Sequence, residues 1–142
     1  MRRSLTKHER IRGKEVTKAF TTSKRRSVPG CSLRYSKNGL SYNRVLFSLG
    51  RKYGNSVQRN YTKRIGKELF RHLKPYLLTG YDLVFIFYSG DYTYQDRFIQ
   101  IAGLMNQSGI LKKECLDPNF VFQILPGNFF HSLDFVHPKE TF

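Results

Sequence analysis

Residues 81–88 read Tyr-Asp-Leu-Val-Phe-Ile-Phe-Tyr, a nearly continuous apolar run closed by Gly80 on one side and Ser89-Gly90 on the other. Its length and its Val, Ile and aromatic content predict a strand. Successive side chains of a strand point to opposite faces, so a run apolar at almost every position needs cover on both. Other elements must therefore pack on each side of it, and the reading is one compact α/β domain.

The next strongest pattern is helical. Over Ser56 to Tyr76, at 100° per residue, Val57, Tyr61, Ile65, Leu69 and Leu73 fall within an arc of roughly 160°. Arg59, Asn60, Lys63, Arg64, Lys67, Arg71 and Lys74 fall within a complementary arc of roughly 140°, and only Phe70 intrudes there. Pro75 ends this helix or sits in its last turn. Lys14 to Thr21 forms a shorter helix with Val16, Ala19 and Phe20 on one stripe. Ahead of it, Thr6 and Glu9 have capping-box spacing, although Gly13 would fall inside a helix begun there. Tyr94 to Ser108 is a third helix that buries Phe98, Ile101, Ala102, Leu104 and Met105, with Gly109 as its stop.

Residues 22–30 are a loop by composition, closing on Pro29-Gly30. Cys31 to Ser36 reads as a strand, Lys37-Asn38-Gly39 as a hairpin turn, and Ser41 to Leu49 as the returning strand, with Val45, Phe47 and Leu49 on one face. A further short strand is expected at Gly50–Tyr53, ended by Gly54-Asn55. Residues 111–142 change character. Six of the twelve Phe lie there among Pro-containing turns, a short strand at Phe120–Leu125 is the one element suggested, and no topology can be read. The expected organisation is one domain over residues 1–110 and a Phe-rich extension over 111–142.

The chain has 142 residues with 25 Lys and Arg against 10 Asp and Glu, a net charge of +15. Residues 1–74 hold 21 of these cations and 3 of the acids; residues 75–142 hold 4 cations and 7 acids. Nearly all the basic surface thus belongs to the first half, and its natural partner is a polyanion, whose released counterions drive binding. Twelve Phe and nine Tyr bury enough surface to exclude disorder along the whole chain. No run approaches the ~18 apolar residues of a membrane span, and no apolar segment follows Met1-Arg2-Arg3 as a secretory signal requires. Cys31 and Cys115 make neither a disulfide framework nor a zinc site. A soluble, cytoplasmic protein is expected.

Where the strands meet the basic helix, residues 50–64 read Gly-Arg-Lys-Tyr-Gly-Asn-Ser-Val-Gln-Arg-Asn-Tyr-Thr-Lys-Arg. This stretch resembles the signature of the protein subunit of bacterial ribonuclease P: a basic pair (Arg51, Lys52), a glycine turn (Gly54-Asn55), a valine (Val57), then Arg59-Asn60 and Lys63-Arg64. Leu5 to Ile11 resembles the family's basic opening, Val16 and Phe20 its first-helix apolar pair, and Tyr81 to Ile86 its fourth strand, so the resemblance covers residues 5–110. Ser56 replaces the usual Ala, Tyr61 stands where a third basic residue is usual, and Lys67 where Arg is common. On the helical wheel Tyr61 falls on the apolar side, the side of packing.

The resemblance implies an α+β fold, a two-layer α-β-β-β-α-β-α sandwich shared with a ribosomal-protein-like fold, with a left-handed crossover through the basic helix. It implies that Arg51, Lys52, Asn55, Arg59, Asn60, Lys63, Arg64 and Lys67 bind the catalytic RNA. A cleft made by Arg10, Lys14, Val16, Phe20 and Tyr35, with Lys18 on its rim, would receive the 5′ leader of precursor tRNA. Cations one helical turn apart suit a folded RNA backbone, and aromatics with basic neighbours suit a single strand. Core packing is an equal alternative for Val16 and Phe20, and whether Arg34 or Tyr35 holds the family's strand-one aromatic position stays open. Mg²⁺ ions, held mainly by the RNA, would supply the metal-assisted hydrolysis.

Side chains for protein-based catalysis are lacking. His8, His72, His131 and His137 have no ligand spacing, Asp82, Asp91 and Asp96 read as strand-start, turn and helix-start acids, and both cysteines read as small apolar fillers. The expected function is that of a ribonuclease P subunit that assists leader removal while its RNA partner cleaves. A ribosomal or other structural RNA-binding protein is the alternative, and a protein-only nuclease is disfavoured by the missing acidic cluster.

Overall fold

A computed structural model describes residues 7–21 and 23–112. Its elements run α1 (Lys14–Thr21), β1 (Lys24–Val28), β2 (Cys31–Lys37), β3 (Arg44–Leu49), α2 (Ser56–Leu73), β4 (Tyr81–Phe87) and α3 (Tyr94–Gln107), with 3₁₀ turns at Lys7–Glu9 and Lys74–Tyr76. This is the α-β-β-β-α-β-α order expected. The four strands form one sheet in the order β1-β2-β4-β3. β4 lies between β2, to which it is antiparallel, and β3, to which it is parallel through the α2 crossover.

Three local expectations are corrected. Residues 24–28 are a strand, not loop, and pair with β2 as a hairpin across Pro29-Gly30. The edge strand Lys-Arg-Arg-Ser-Val is exposed at its first four positions, so it carries no apolar alternation to read, and its cations protect an open edge from pairing with another chain. The Asn38-Gly39 turn does not pair β2 with β3, because β4 inserts between them. No strand forms over residues 50–53. The strand proposed at 120–125 and Cys115 lie outside the described residues.

Period-two alternation divides the sheet into two faces. Cys31, Leu33, Tyr35, Val45, Phe47, Leu83, Phe85 and Phe87 face α2 and α3 and form the main core with Ile65, Leu69, Phe70, Phe98, Ile101, Leu104 and Met105. Phe47 stacks on Phe85 and Phe87 at centroid distances of 5.5 and 6.1 Å and meets Phe70 edge-on. α2 approaches this stack at Gly66, where a Cβ would stand 2.7 Å from Phe47 and 2.9 Å from Phe87. The other face carries α1 over a smaller cluster of Ile11, Ala19 and Val84, flanked by Val16, Phe20, Leu46 and Ile86.

Asp82, at the start of β4, anchors α1's side of the sheet. Its carboxylate receives Arg44 Nε and Nη2 at 2.8 and 2.7 Å and Asn38 Nδ2 at 3.0 Å, while Arg44 also pairs with Glu15 of α1. The hydrogen bonds that Arg44 donates to Asp82 raise its pKa above the ordinary value. Asp96 closes a capping box with Thr93 at the start of α3. At its far end the N–H groups of Gly109 and Ile110 bond the Asn106 and Met105 carbonyls, the paired bonds that finish a helix. Leu111 then bridges to Leu77.

Candidate nucleic-acid interface

The cationic helix begins from a tight bend. Gly50 N–H bonds the Phe87 carbonyl at 2.8 Å, holding the end of β3 to β4, and Arg51 and Lys52 follow as exposed turn residues. Gly54 has φ +134, a backbone state that side-chain-bearing residues avoid. Asn55 then caps α2: its Oδ1 accepts Gln58 N–H at 2.9 Å, and its own N–H donates to Gln58 Oε1 at 3.1 Å. Asn55, expected among the RNA-binding residues, thus has its side-chain oxygen committed to the helix cap. The first turn of α2 holds no acidic residue, so the positive end of its dipole adds to Arg51 and Lys52.

α2 is rotated relative to the face that apolar periodicity suggested. Its buried stripe is Thr62, Ile65, Gly66, Leu69, Phe70 and Leu73. Val57 and Tyr61, expected to pack, are 75% and 53% exposed. The cause is local. Tyr53 Oη bonds Thr62 Oγ1 at 2.9 Å, which makes this polar position burial-competent, and Gly66 lets the helix press against the Phe47–Phe87 stack. Phe70, the intruder on the wheel, is therefore core. Asn60, Arg64 and Lys67 project into solvent, Arg59 and Lys63 are half-buried, and the Arg64 guanidinium lies 5.8 Å from the Tyr61 ring centre.

A second set of cations meets this helix. Residue 10 bridges to Val45 along the edge of β3, so the chain ahead of α1 runs beside α2. Glu9 is held there by an ion pair with Lys74. Between the two segments lies a hollow of about 230 Å³ lined by Arg10, Arg12, Lys63 and Lys67 over Ile11, Val45, Leu46 and Phe47. Arg10, assigned from the sequence to the cleft, and Lys63 and Lys67, assigned to the helix surface, line one groove. Arg12 was missed; its signal was the charge of the opening segment.

On α1's face of the sheet, Val16 and Phe20 are half-buried beside Leu46 and Ile86, and Lys14 and Lys18 are exposed. Tyr35 is not among them. It is 8% exposed in the main core on the opposite face, because it shares strand parity with Cys31 and Leu33. Arg34 occupies the cleft side instead: its guanidinium lies 5.8 Å from the Phe20 ring centre and donates to the Phe20 carbonyl at 3.3 Å. Arg25 is its cross-strand partner on the same face. The aromatic that sequence reasoning overlooked is Tyr88, whose hydroxyl is hydrogen-bonded to Ser32 Oγ at 3.0 Å. Its parity with Val84 and Ile86 was the available signal.

Burial pushes the Cys31 thiol up to about 12, so it stays protonated as a packing side chain. Among the described residues no three His, Cys, Asp or Glu side chains come together as a metal site, and no helix is long and apolar enough to cross a membrane.

A mixed four-stranded sheet with two helices on one face, one on the other, and cations gathered along a bend, a helix and an opening segment defines a class: small basic α+β domains with a concentrated cationic surface. The family model described as Ribonuclease P matches residues 5–107, and the chain belongs to that family. The ribonuclease P protein component of Natranaerobius thermophilus is 37% identical over 82 residues, 56% of this chain and 71% of that protein. The component from Clostridium botulinum strain Loch Maree is 36% identical over 108 residues, 73% of this chain and 97% of that protein. The fold matches the Thermotoga maritima RNase P protein with a TM-score of 0.64 at 24% identity, covering 70% of this chain and 96% of that one. A Staphylococcus aureus RNase P protein mutant described as defective in mRNA degradation matches at 0.69 and 20%, covering 74% and 92%. Family membership makes the chain a ribonuclease P subunit that serves tRNA processing.

Proposed function

We propose that the chain docks on the catalytic RNA of ribonuclease P through the surface from Arg51 to Lys67, and that the face beside α1 holds the 5′ leader of precursor tRNA. The observation that carries this reading is the convergence of Arg10 and Arg12 with Lys63 and Lys67 around one hollow. A hollow rimmed by cations sets up a positive potential that attracts a polyanion. On the other face, Phe20 and Tyr88 with Arg34, Arg25, Lys14 and Lys18 supply rings and charges suited to a single strand. The Mg²⁺ ions of the hydrolysis would belong to the RNA. Among the described residues no cluster of His, Cys, Asp or Glu forms a donor set for them.

In this reading the RNA cleaves the phosphodiester to leave a mature tRNA 5′ end. The protein orients the leader and screens repulsion between two RNAs, which matters most when Mg²⁺ is scarce. The working unit spans residues 1–110, with 111–142 as an extension, and the assembly acts in the cytoplasm. Reconstitution with the cognate catalytic RNA at low Mg²⁺ tests it: the protein is expected to stimulate precursor-tRNA cleavage. Absence of stimulation, with binding to ribosomal subunits instead, would overturn it in favour of a structural RNA-binding protein.

A further inference from the structure

Tyr61 sits among the RNA-facing cations of α2 yet carries no charge, and it does not pack inward. Tyr61 is 53% exposed, and Val57, one turn earlier, is 75% exposed. Together with Gln58, Asn60 and Arg64 these two side chains line an open hollow of about 480 Å³. A neighbouring hollow of about 340 Å³ shares Gln58 and Tyr61 and is lined further by Tyr53, Tyr92 and Arg97. The Tyr61 ring thus stands between two adjoining depressions, with a guanidinium on its Arg64 side. Glu68, the one acidic side chain on α2, is engaged by the Tyr94 hydroxyl of α3, whose pKa is pushed up to about 12 chiefly by burial and then by Glu68.

We propose that Tyr61 is a stacking platform for an unpaired nucleobase of the RNA partner, seated over Val57 and Tyr61 with its phosphate toward Arg64. This rests on the proposed docking of α2 on RNA and specifies its chemistry. A flat ring beside an aliphatic side chain suits the face of any base, and Gln58 and Asn60 provide amide groups at the edge of the hollow. The Arg64 guanidinium that lines the hollow, on the cationic helix, favours RNA as the occupant over an apolar peptide. An A-form duplex keeps its bases stacked inside, so the platform requires a base already splayed out.

The two kinds of contact separate in their salt dependence. Replacing a phosphate-binding cation lowers the slope of log K against log salt, whereas removing a stacking ring lowers affinity at every salt concentration alike. The test measures binding of the cognate ribonuclease P RNA to full-length protein over a salt series, for wild type, Tyr61→Ala and Tyr61→Phe. We expect Tyr61→Ala to bind about 5- to 100-fold more weakly with an unchanged slope, and Tyr61→Phe to bind as wild type. Wild-type affinity in Tyr61→Ala, or loss in Tyr61→Phe equal to that in Tyr61→Ala, would overturn the platform while leaving the docking intact. Failure of the wild-type protein to bind this RNA would overturn both. Because the ring is exposed, thermal melts of the three proteins should coincide, and binding losses then report the interface.

Discussion

Arg97 of α3 donates from Nη2 to the hydroxyl of Tyr53 at 2.6 Å, joining the third helix to the bend that precedes the basic one. The same guanidinium donates to the Gly30 and Tyr88 carbonyls and to Gln100 Oε1, and it lies 4.6 and 4.9 Å from the ring centres of Tyr92 and Phe87. Thr62 donates its hydroxyl proton to the Gln58 carbonyl, so Tyr53 must donate to Thr62, and the bonds run in one direction from Arg97 through Tyr53 and Thr62 into the first turn of α2. The cation is 4% exposed and its bonding partners are all neutral. Arg97 therefore fixes the β1–β2 turn, the end of β4 and the bend ahead of α2 to one another.

Arg97→Lys cannot reproduce the planar fork and should cost about 3 kcal/mol, from several charge-assisted bonds lost inside the fold. Tyr53→Phe should cost about 1–2 kcal/mol, and the double variant less than the sum, because both changes cut the same relay. Urea denaturation of the four proteins checks this. Additive losses would show that the two residues stabilise the fold independently.

Cys31 gives a pH dependence of known sign. Its folded pKa is raised from 9.0 to about 12 by burial, with Arg97 opposing. Folding is therefore unaffected by this thiol below the ordinary value. It loses stability as pH rises from 9.0 toward about 12, where the unfolded chain ionises and the folded chain does not. Cys31→Ala should flatten that alkaline decline relative to wild type, at the cost of a small cavity. Stability measured across this range decides it; parallel curves would contradict the assignment.

How much of this was legible beforehand depended on whether burial left a periodic trace. The run 81–88 and the helices at 14–21, 56–73 and 94–107 bury apolar side chains at regular intervals, and they stand where periodicity put them. β1 left no trace because an exposed edge buries almost nothing. The Asn38-Gly39 turn misled because local turn chemistry does not say that a strand some forty residues later will slide between its flanks. The face of α2 was misjudged because Thr62 and Gly66 are buried for reasons other than hydrophobicity, one by a hydrogen bond and one by its lack of a side chain. Tyr35 was different. Its parity with Cys31 and Leu33 could be read, and the choice between it and Arg34 follows from alternation alone.

The cleft assignment has its own test in Phe20, half-buried against Val84 and Ile86 and covered by Arg34. Phe20→Leu keeps an apolar filler but removes the ring. It should weaken binding of precursor tRNA with a long leader about tenfold and leave binding of leaderless tRNA unchanged, since stacking is worth about 1–3 kcal/mol per base. Equal losses on both substrates would mean that the ring serves packing.

The central claim is that the groove between the opening segment and α2 grips RNA phosphates. Its most direct measurement is the salt dependence of binding to the cognate catalytic RNA, compared between wild type and the Lys63→Ala, Lys67→Ala double variant. Each phosphate contact removed should lower the slope by about one, so a fall of about two is expected, with weaker binding at low salt. A slope identical to wild type would contradict the claim, because it would show that no phosphate lies against these two lysines.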